Sequence, residues 1–438
     1  VTPGITALEY AHRRSKLARQ LPTNGIAVVA AADLKFKSGS VFYEFHQSSD
    51  FFYLTGNASS REGYTVDVFV EKTGLGDDHA FHLYCRPKDP RAELWEGARS
   101  GIQAAQDVFN ADETGDINAV QERLPQILRS AGTIYTDISG TAKSKSSFSR
   151  YFRGSTPSSD TFERLLEPHA VKPLRPLLND LRVIKSDSEI NLMRRIGQNS
   201  GRAITEAMRS HFYSEKDLWS FLEYSFRKQG CDGSAYVPVI AGGAHALSIH
   251  YVRNDDILKD GQLVLVDAGG EYGGYITDIT RSWPVGGKFS SAEKDLYDVI
   301  LKVQRSCVSM CREDANTTLD KLHGIAENGL RDGLKQIGFD MSGNALQTLF
   351  PHHLGHHVGL DVHDAPGYPR SELLKAGHCI TIEPGIYVPD NDRWPKHFRG
   401  MGIRIEDSVC VQESAPLILT TEAAKEVSSM YTKTKLCR

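Results

Sequence analysis

Long apolar runs are missing from this 438-residue chain. The longest, such as Ala27 to Ala32 in GIAVVAAA, fall far short of the ~20 residues that span a bilayer, so no transmembrane helix is expected. An excess of charge of either sign is also missing. Fifty-one Lys and Arg stand against 55 Asp and Glu, a formal net charge of -4 that gives no electrostatic reason to expect a nucleic acid or an anionic membrane as partner. Cysteine is sparse: there are seven, an odd number, with no CxxC pair or other zinc-type spacing, which fits a reducing compartment. Cys307 and Cys311, four apart on an expected helix, have no His or Cys spaced to join them and are read as core filling. The composition of a disordered chain is absent too, since 40% of residues are hydrophobic and 24% charged.

The length exceeds the ~250–300 residues at which a single core stops growing, so at least two domains are expected. Strand-like GIAVVAAAD, AFHLYCRP and GTIYTDIS alternate with helical patterns around Ala7 to Gln20 and Ile117 to Arg129, which predicts an α/β domain over residues 1–180. A polar stretch from Thr141 to Ser159 and the two prolines of KPLRPLLNDLR place the boundary near 175–185. Residues 181–438 then open with a Ser-x-x-Glu capping box at Ser186 and a long amphipathic helix. A second helix over Glu215 to Lys228 leads into a β-rich region containing YVPVIAGG, SIHYV and QLVLVDAGG. Two more helices, Ser291 to Arg312 and Leu319 to Ile337, precede the last β-rich stretch, CITIEPGIYV through GIRIEDSVCV. The order helix, helix, sheet occurs twice and suggests an internally duplicated α+β architecture. The chain begins at Val1 and not Met, as expected after removal of a targeting segment or of any truncation.

The chemistry concentrates in the second region. In LVLVDAGGEYGGYITDITRSW, two apolar strands flank a glycine-rich turn. Asp267 and Asp278 are equidistant from a turn centre between Tyr272 and Gly273, which would set them opposite each other across the ladder. Like charges there are destabilising unless a cation lies between them. Glu383 in ITIEPGIYV and Glu406 in GIRIEDSV are likewise equidistant from Trp394 and Pro395. A nitrogen ligand is available in PHHLGHHVGLDVHD, where His352, His353, His356, His357 and His363 fall within twelve residues. A surface His-rich loop is the competing reading of that cluster. Four carboxylates and one imidazole carry formal charge -4, which two divalent cations cancel, and oxygen-dominated donors favour Mn²⁺, with Co²⁺ or Zn²⁺ as alternatives.

The blocks SIHYVRND, VLVDAGGEYGGYITDITRSWP, HHLGHHVGLDVHD, TIEPGIYV and GIRIEDSV resemble the aminopeptidase P branch of the M24 metallopeptidases, whose catalytic domain has the creatinase or "pita-bread" fold. The resemblance extends through FYEFHQSSDFFYLTGN and RPKDPRAELWEGARSG of the first domain and covers nearly the whole chain. It implies Asp267, Asp278, His356, Glu383 and Glu406 as metal ligands, with Asp278 and Glu406 bridging. It implies Glu383 as the proton carrier, His250 and His363 as histidines facing the substrate, and Tyr236 as a substrate-site tyrosine. His352 and Arg404 match positions that support these groups and line the substrate site. His357 stands where bacterial members carry a bulky apolar residue, which bears on pocket specificity.

The resemblance is strongest to mitochondrial members, which trim one residue from imported proteins after presequence removal. It thereby implies peptide or protein N-termini as substrate, the mitochondrion rather than the cytoplasm, and a homodimer paired through the first domain. A peptidase requiring proline at the second position, a prolidase, and a non-catalytic peptide-binding module share the fold and are the alternatives. The five retained ligands weigh against the last and against a metal-free creatinase-like hydrolase, and the large first domain weighs against a methionine aminopeptidase.

Overall fold

The computed structural model describes residues 2–39, 41–57, 67–129, 131–138 and 170–430. The polar stretch from Thr141 to Ser159 lies outside them. The chain divides into two compact units, Val1–Arg182 and Val183–Arg438.

In the first unit a six-stranded sheet runs in the order Glu113–Asp116, His79–Cys85, Asp67–Lys72, Gly25–Ala30, Thr133–Thr136, Val171–Lys172. The inner pairings are antiparallel and the outer ones parallel, because the helices Gly101–Asp107 and Val120–Leu128 cross over to the flanks. Ile26, Val28, Phe69, Tyr84, Leu124, Leu128 and Ile134 form its core. The helix Ala7–Gln20 is capped by the Thr6 side chain on the Glu9 amide.

The second unit shows the repeated order. The helix Asp187–Met208 starts in the expected capping box: Ser186 Oγ accepts from the Glu189 amide and Glu189 returns a bond to the Ser186 amide. Its face of Ile190, Met193, Ile196, Ala203, Ile204 and Ala207 recurs at helical spacing and is buried. The helix Glu215–Lys228 follows, then a sheet of Val239–Gly242, Leu263–Asp267 and Thr280–Pro284. The helices Ser291–Ser309 and Leu319–Gln336 precede the sheet Cys379–Ile382, Asp407–Cys410, Leu417–Ile418 and the pair Gly385–Tyr387, Gly402–Arg404. Cys307 and Cys311 are fully buried core residues, as read from their spacing. SIHYV, by contrast, is not a strand: after a short 3-10 turn at Gly243–Leu247, residues 248–252 run as a loop in which the Ser248 and Tyr251 amides bond back to the His245 and Ser248 carbonyls, while the Tyr251 hydroxyl goes to Glu215 of the preceding helix.

Two hairpins bring acids to one place, with different registers. In the first, Leu263 pairs with Pro284 and Tyr272 with Tyr275, so the turn is Gly273–Gly274. Both glycines have positive φ (58° and 81°), as a tight two-residue hairpin turn requires. The centre therefore lies one residue later than the sequence reading placed it. Asp267 stands opposite Thr280, and Asp278 is displaced by two positions on the partner strand instead of facing Asp267. In the second hairpin Ile382 pairs with Asp407 and Gly385 with Arg404, which leaves Glu383 and Glu406 at mirror positions.

Candidate metal centre and active site

Strand alternation places residues two apart on one face, and the candidate site is built from such sets. Asp278, Thr280 and Ser282 of the first hairpin meet Arg404, Glu406 and Ser408 of the second. Ser408 Oγ accepts from the Asp278 amide at 3.2 Å and donates to its carbonyl at 2.8 Å. The Glu406 amide donates to Thr280 O at 3.0 Å, and the Arg404 amide donates to Ser282 Oγ at 3.2 Å. Thr280 Oγ1 donates to Glu406 Oε2 at 2.6 Å while accepting from Arg404 Nε at 2.9 Å. The acids are thus held by hydroxyls on their own faces.

His356 arrives on the irregular segment 351–364, whose approach depends on glycine: a Cβ on Gly355 would lie 1.9 Å from Thr381 O. His356 Nδ1 lies 3.0 Å from the His357 carbonyl, an acceptor, so Nδ1 carries the proton and Nε2 keeps its lone pair. Nε2 is 3.6 Å from Asp278 Oδ2 and 3.5 Å from Glu383 Oε1. Thr381 Oγ1 ties the pair together, accepting from the His356 amide at 3.0 Å and donating to Glu383 Oε1 at 3.3 Å. Donor atoms of Asp278, His356 and Glu406 all lie within 4.8 Å of one another. Asp267 joins through Tyr236, whose hydroxyl is 2.6 Å from Asp267 Oδ1 and 2.5 Å from Asp278 Oδ1. A phenol has one proton for these two carboxylates, so the second short contact needs another proton or a cation.

The electrostatics say the same. Burial and the Asp267 charge push the Asp278 carboxyl up to about 8. Burial, opposed by Arg404 but reinforced by Asp267, takes Glu383 to about 8 as well. Glu406 is raised by burial and by Asp278 and Glu383. Its Oε1 is buried and makes no hydrogen bond, a costly state for a carboxylate oxygen that has no positive partner. An oxygen-rich set with one imidazole, mutual repulsion and an orphaned carboxylate oxygen fits a divalent cation.

Arg404 is fully buried and fans out to three groups: Nη2 to Asp267 Oδ2 at 2.6 Å, Nη1 to Tyr387 Oη at 2.6 Å, and Nε to Thr280. Because the guanidinium only donates, Tyr387 is left to donate onward to His352 Nε2, 3.0 Å away. His352 Nδ1 is bonded to the His353 carbonyl, and burial with the Arg404 charge holds this ring down to about 4, neutral at physiological pH. His363 packs edge-on to His356 with ring centroids 4.4 Å apart. His250 is exposed on the loop 248–252 and contributes to the lowering of the His363 pKa, behind burial and His356.

The histidine cluster splits. His353 is exposed and packs on His323. His357 points away from the acids into a buried group, its ring 5.2 Å from that of His378 and 5.5 Å from Tyr368. Successive residues of an extended segment face opposite sides, so the side chain after His356 turns from the pocket, and the consequence drawn for pocket specificity does not follow. Thr280, Thr381, Ser408 and Tyr387 join the site without standing at any ligand or substrate position of its motifs. Each stands two or four residues from an acid in a strand, a period-2 signal that marks it for the same face.

Fold and site together define a metal-dependent hydrolase: a duplicated α+β domain with a divalent-cation site on its two hairpins, preceded by an α/β domain. The chain belongs to metallopeptidase family M24, whose model matches residues 191–413, and residues 10–135 match the aminopeptidase P N-terminal domain. It is 43% identical over 434 residues to intermediate cleaving peptidase 55 of Saccharomyces cerevisiae, covering 98% of this chain and 84% of that protein. A crystal structure of that relative lacking its N-terminal 58 residues superposes with a TM-score of 0.89 at 41% identity, over 98% of this chain and 97% of the other. The mitochondrial intermediate cleaving peptidase 55 of Arabidopsis thaliana is 36% identical, over 99% of this chain and 84% of the relative. Xaa-Pro aminopeptidase 3 of Mus musculus is 34% identical, over 98% of this chain and 86% of the relative.

Proposed function

We propose that this chain is a two-metal aminopeptidase of the mitochondrion that removes a single N-terminal residue from imported proteins after presequence cleavage. The observation that carries this is the convergence of Asp267, Asp278, His356, Glu383 and Glu406, with Glu406 Oε1 left without a partner. The similarity to two intermediate cleaving peptidases, one of them named mitochondrial, supports the substrate and the compartment.

Two divalent ions, proposed as Mn²⁺, would be held by these five residues and would supply an acidified water and a Lewis acid at the scissile carbonyl. Glu383, oriented by Thr381, takes up the proton and returns it to the leaving amine. His363, its pKa lowered by partial burial and by its neighbour His356, donates an N–H to the developing oxyanion together with His250, a contribution often worth ~3–4 kcal/mol per donor. Tyr236 and His352 border the bound N-terminus, and Arg404 keeps Asp267 and Tyr387 in place. A homodimer paired through the first unit is the proposed assembly, which sedimentation tests.

Stripping with EDTA should abolish turnover and Mn²⁺ should restore it. Indifference to both would overturn the metal reading. A second activity, cleavage only before proline, is favoured by the similarity to Xaa-Pro aminopeptidase 3. A peptide panel starting with Tyr, Leu or Phe, with and without proline second, separates the two: turnover confined to the proline peptides would replace the broader reading.

A further inference from the structure

Glu215, the first residue of the helix Glu215–Lys228, has no solvent exposure, yet its carboxylate takes part in none of the chemistry above. It accepts four hydrogen bonds. Oε1 takes the Gly242 amide and His245 Nδ1, both at 2.9 Å, and Oε2 takes the Tyr251 hydroxyl at 2.8 Å and the Asp256 amide at 3.0 Å. All four donors come from one stretch, 242–256, and they bracket His250 from both sides. The Glu215 amide closes a further bond to the Asp256 carbonyl at 2.9 Å.

That stretch has little else to fix it. Past Gly242, which ends the strand Val239–Gly242, it is loop apart from the short turn at Gly243–Leu247, and His250 makes no hydrogen bond among the described residues. A second buried anchor is Asn254, in left-handed backbone (φ 50°), which accepts from the Ile240 amide and donates to Pro238 O. On its apolar side the stretch rests Ala246, Leu247, Ile249 and Tyr251 on Val239, Ala241, Leu265 and Tyr387, the same tyrosine that bridges Arg404 and His352. The loop carrying His250 is therefore seated against the candidate site by packing and held by two buried side chains, of which Glu215 gathers donors from both sides of His250.

We propose that Glu215 is a positioning residue for His250, gathering the donors on either side of it so that the imidazole stands where the oxyanion forms. The proposal rests on the reading of His250 as substrate-facing. In Glu215→Gln the amide NH₂ would face two of the four donors, so half the clamp is lost while the side-chain volume stays. A displacement on the order of 1 Å at a catalytic group can cost ~100-fold, so kcat should fall about 10–100-fold with Mn²⁺ content unchanged.

A double-mutant cycle tests it, using the Mn²⁺-loaded enzyme and the best peptide of the panel. If Glu215 acts through His250, Glu215→Gln slows the parent enzyme but not the His250→Ala background, whereas any loss of melting temperature persists in both. Tyr251→Phe, which removes one donor and keeps the ring stacked on His245 (centroids 4.4 Å apart), should show a smaller loss of the same kind and serves if Glu215→Gln does not fold. Losses that multiply, or an unchanged kcat in Glu215→Gln and Tyr251→Phe, overturn the proposal and leave His250 its role. Full activity in His250→Ala would remove the role of His250 itself, and the proposal with it.

Discussion

Loading Mn²⁺ into the site at neutral pH should expel protons from it. Without a cation, burial and the neighbouring Asp267 hold Asp278 at about 8, and burial, with Arg404 opposing and Asp267 reinforcing, holds Glu383 at about 8. The unfolded chain titrates these groups near the ordinary carboxylate value of ~4. With folded values above unfolded ones, the metal-free fold binds more protons than the unfolded chain between about 4 and about 8. The associated stability is complete below the lower value and is lost as pH rises through the upper one. Each excess proton contributes a slope of ~1.4 kcal/mol per pH unit. Bound cations keep the carboxylates ionised, and the slope vanishes. The gap in unfolding free energy between Mn²⁺-loaded and EDTA-stripped protein should therefore widen by ~1.4 kcal/mol per pH unit for each displaced proton, about 3 kcal/mol for one proton between pH 5.5 and 7.5. The buried neutral histidines His357 and His378 oppose this trend at lower pH, but they do so in both forms and cancel in the difference. Calorimetric titration of the stripped protein with Mn²⁺, in two buffers of different protonation heat at pH 7, counts the protons directly. Release of at least one is expected. No release, or a gap independent of pH, would refute the picture of a repelling acid cluster held together by protons until a metal replaces them.

Three further outcomes follow from contacts in the site. Glu383→Gln and His356→Ala should each abolish turnover while circular dichroism stays native, and normal activity in either would sink the assignment. Arg404→Lys keeps the charge but puts one nitrogen in place of the three that reach Asp267, Tyr387 and Thr280, so activity should drop ~10–100-fold, with weaker Mn²⁺ retention on dialysis. In Gly355→Ala the new Cβ would meet Thr381 O at 1.9 Å, and the backbone of a β-strand cannot give way. Thermal unfolding should show a loss of several kcal/mol, on the order of the larger values for single substitutions, and Mn²⁺ binding should weaken as His356 moves.

Much of this was legible in the sequence because its signals are periodic or local. The capping box at Ser186 and the helix Glu215–Lys228 need only neighbours a few residues away, and the mirror placement of Glu383 and Glu406 needs only a symmetric hairpin. Asp267 and Asp278 show where local reasoning slips. Counting outward from the wrong pair of turn residues moved the centre by one position, and positive φ at Gly273 and Gly274, which decides the register, is not written in composition. SIHYV has the residues of a strand, but its Ser248 and Tyr251 amides close local turns onto the His245 and Ser248 carbonyls and so are not free for a ladder. The five histidines could be seen as a cluster, whereas which of them turned inward depended on a path that Gly355 and the bridge from His357 to Ile380 fix in three dimensions.

The duplicated order gives the site its logic. Each half ends in a hairpin with two acids, and neither hairpin alone can bury them, because two like charges at close range in a dry setting stay protonated or stay apart. Bringing the hairpins together doubles the charge but also aligns alternating polar residues: Asp278, Thr280 and Ser282 against Arg404, Glu406 and Ser408. Those hydroxyls and the one guanidinium satisfy the edges of the carboxylates, and Tyr236 and Thr381 hold two more. One buried oxygen, Glu406 Oε1, is left with no donor. The polypeptide thus meets its acid cluster with hydroxyls, one guanidinium and one imidazole, and leaves the remaining repulsion and one buried, unbonded carboxylate oxygen for a cation to offset.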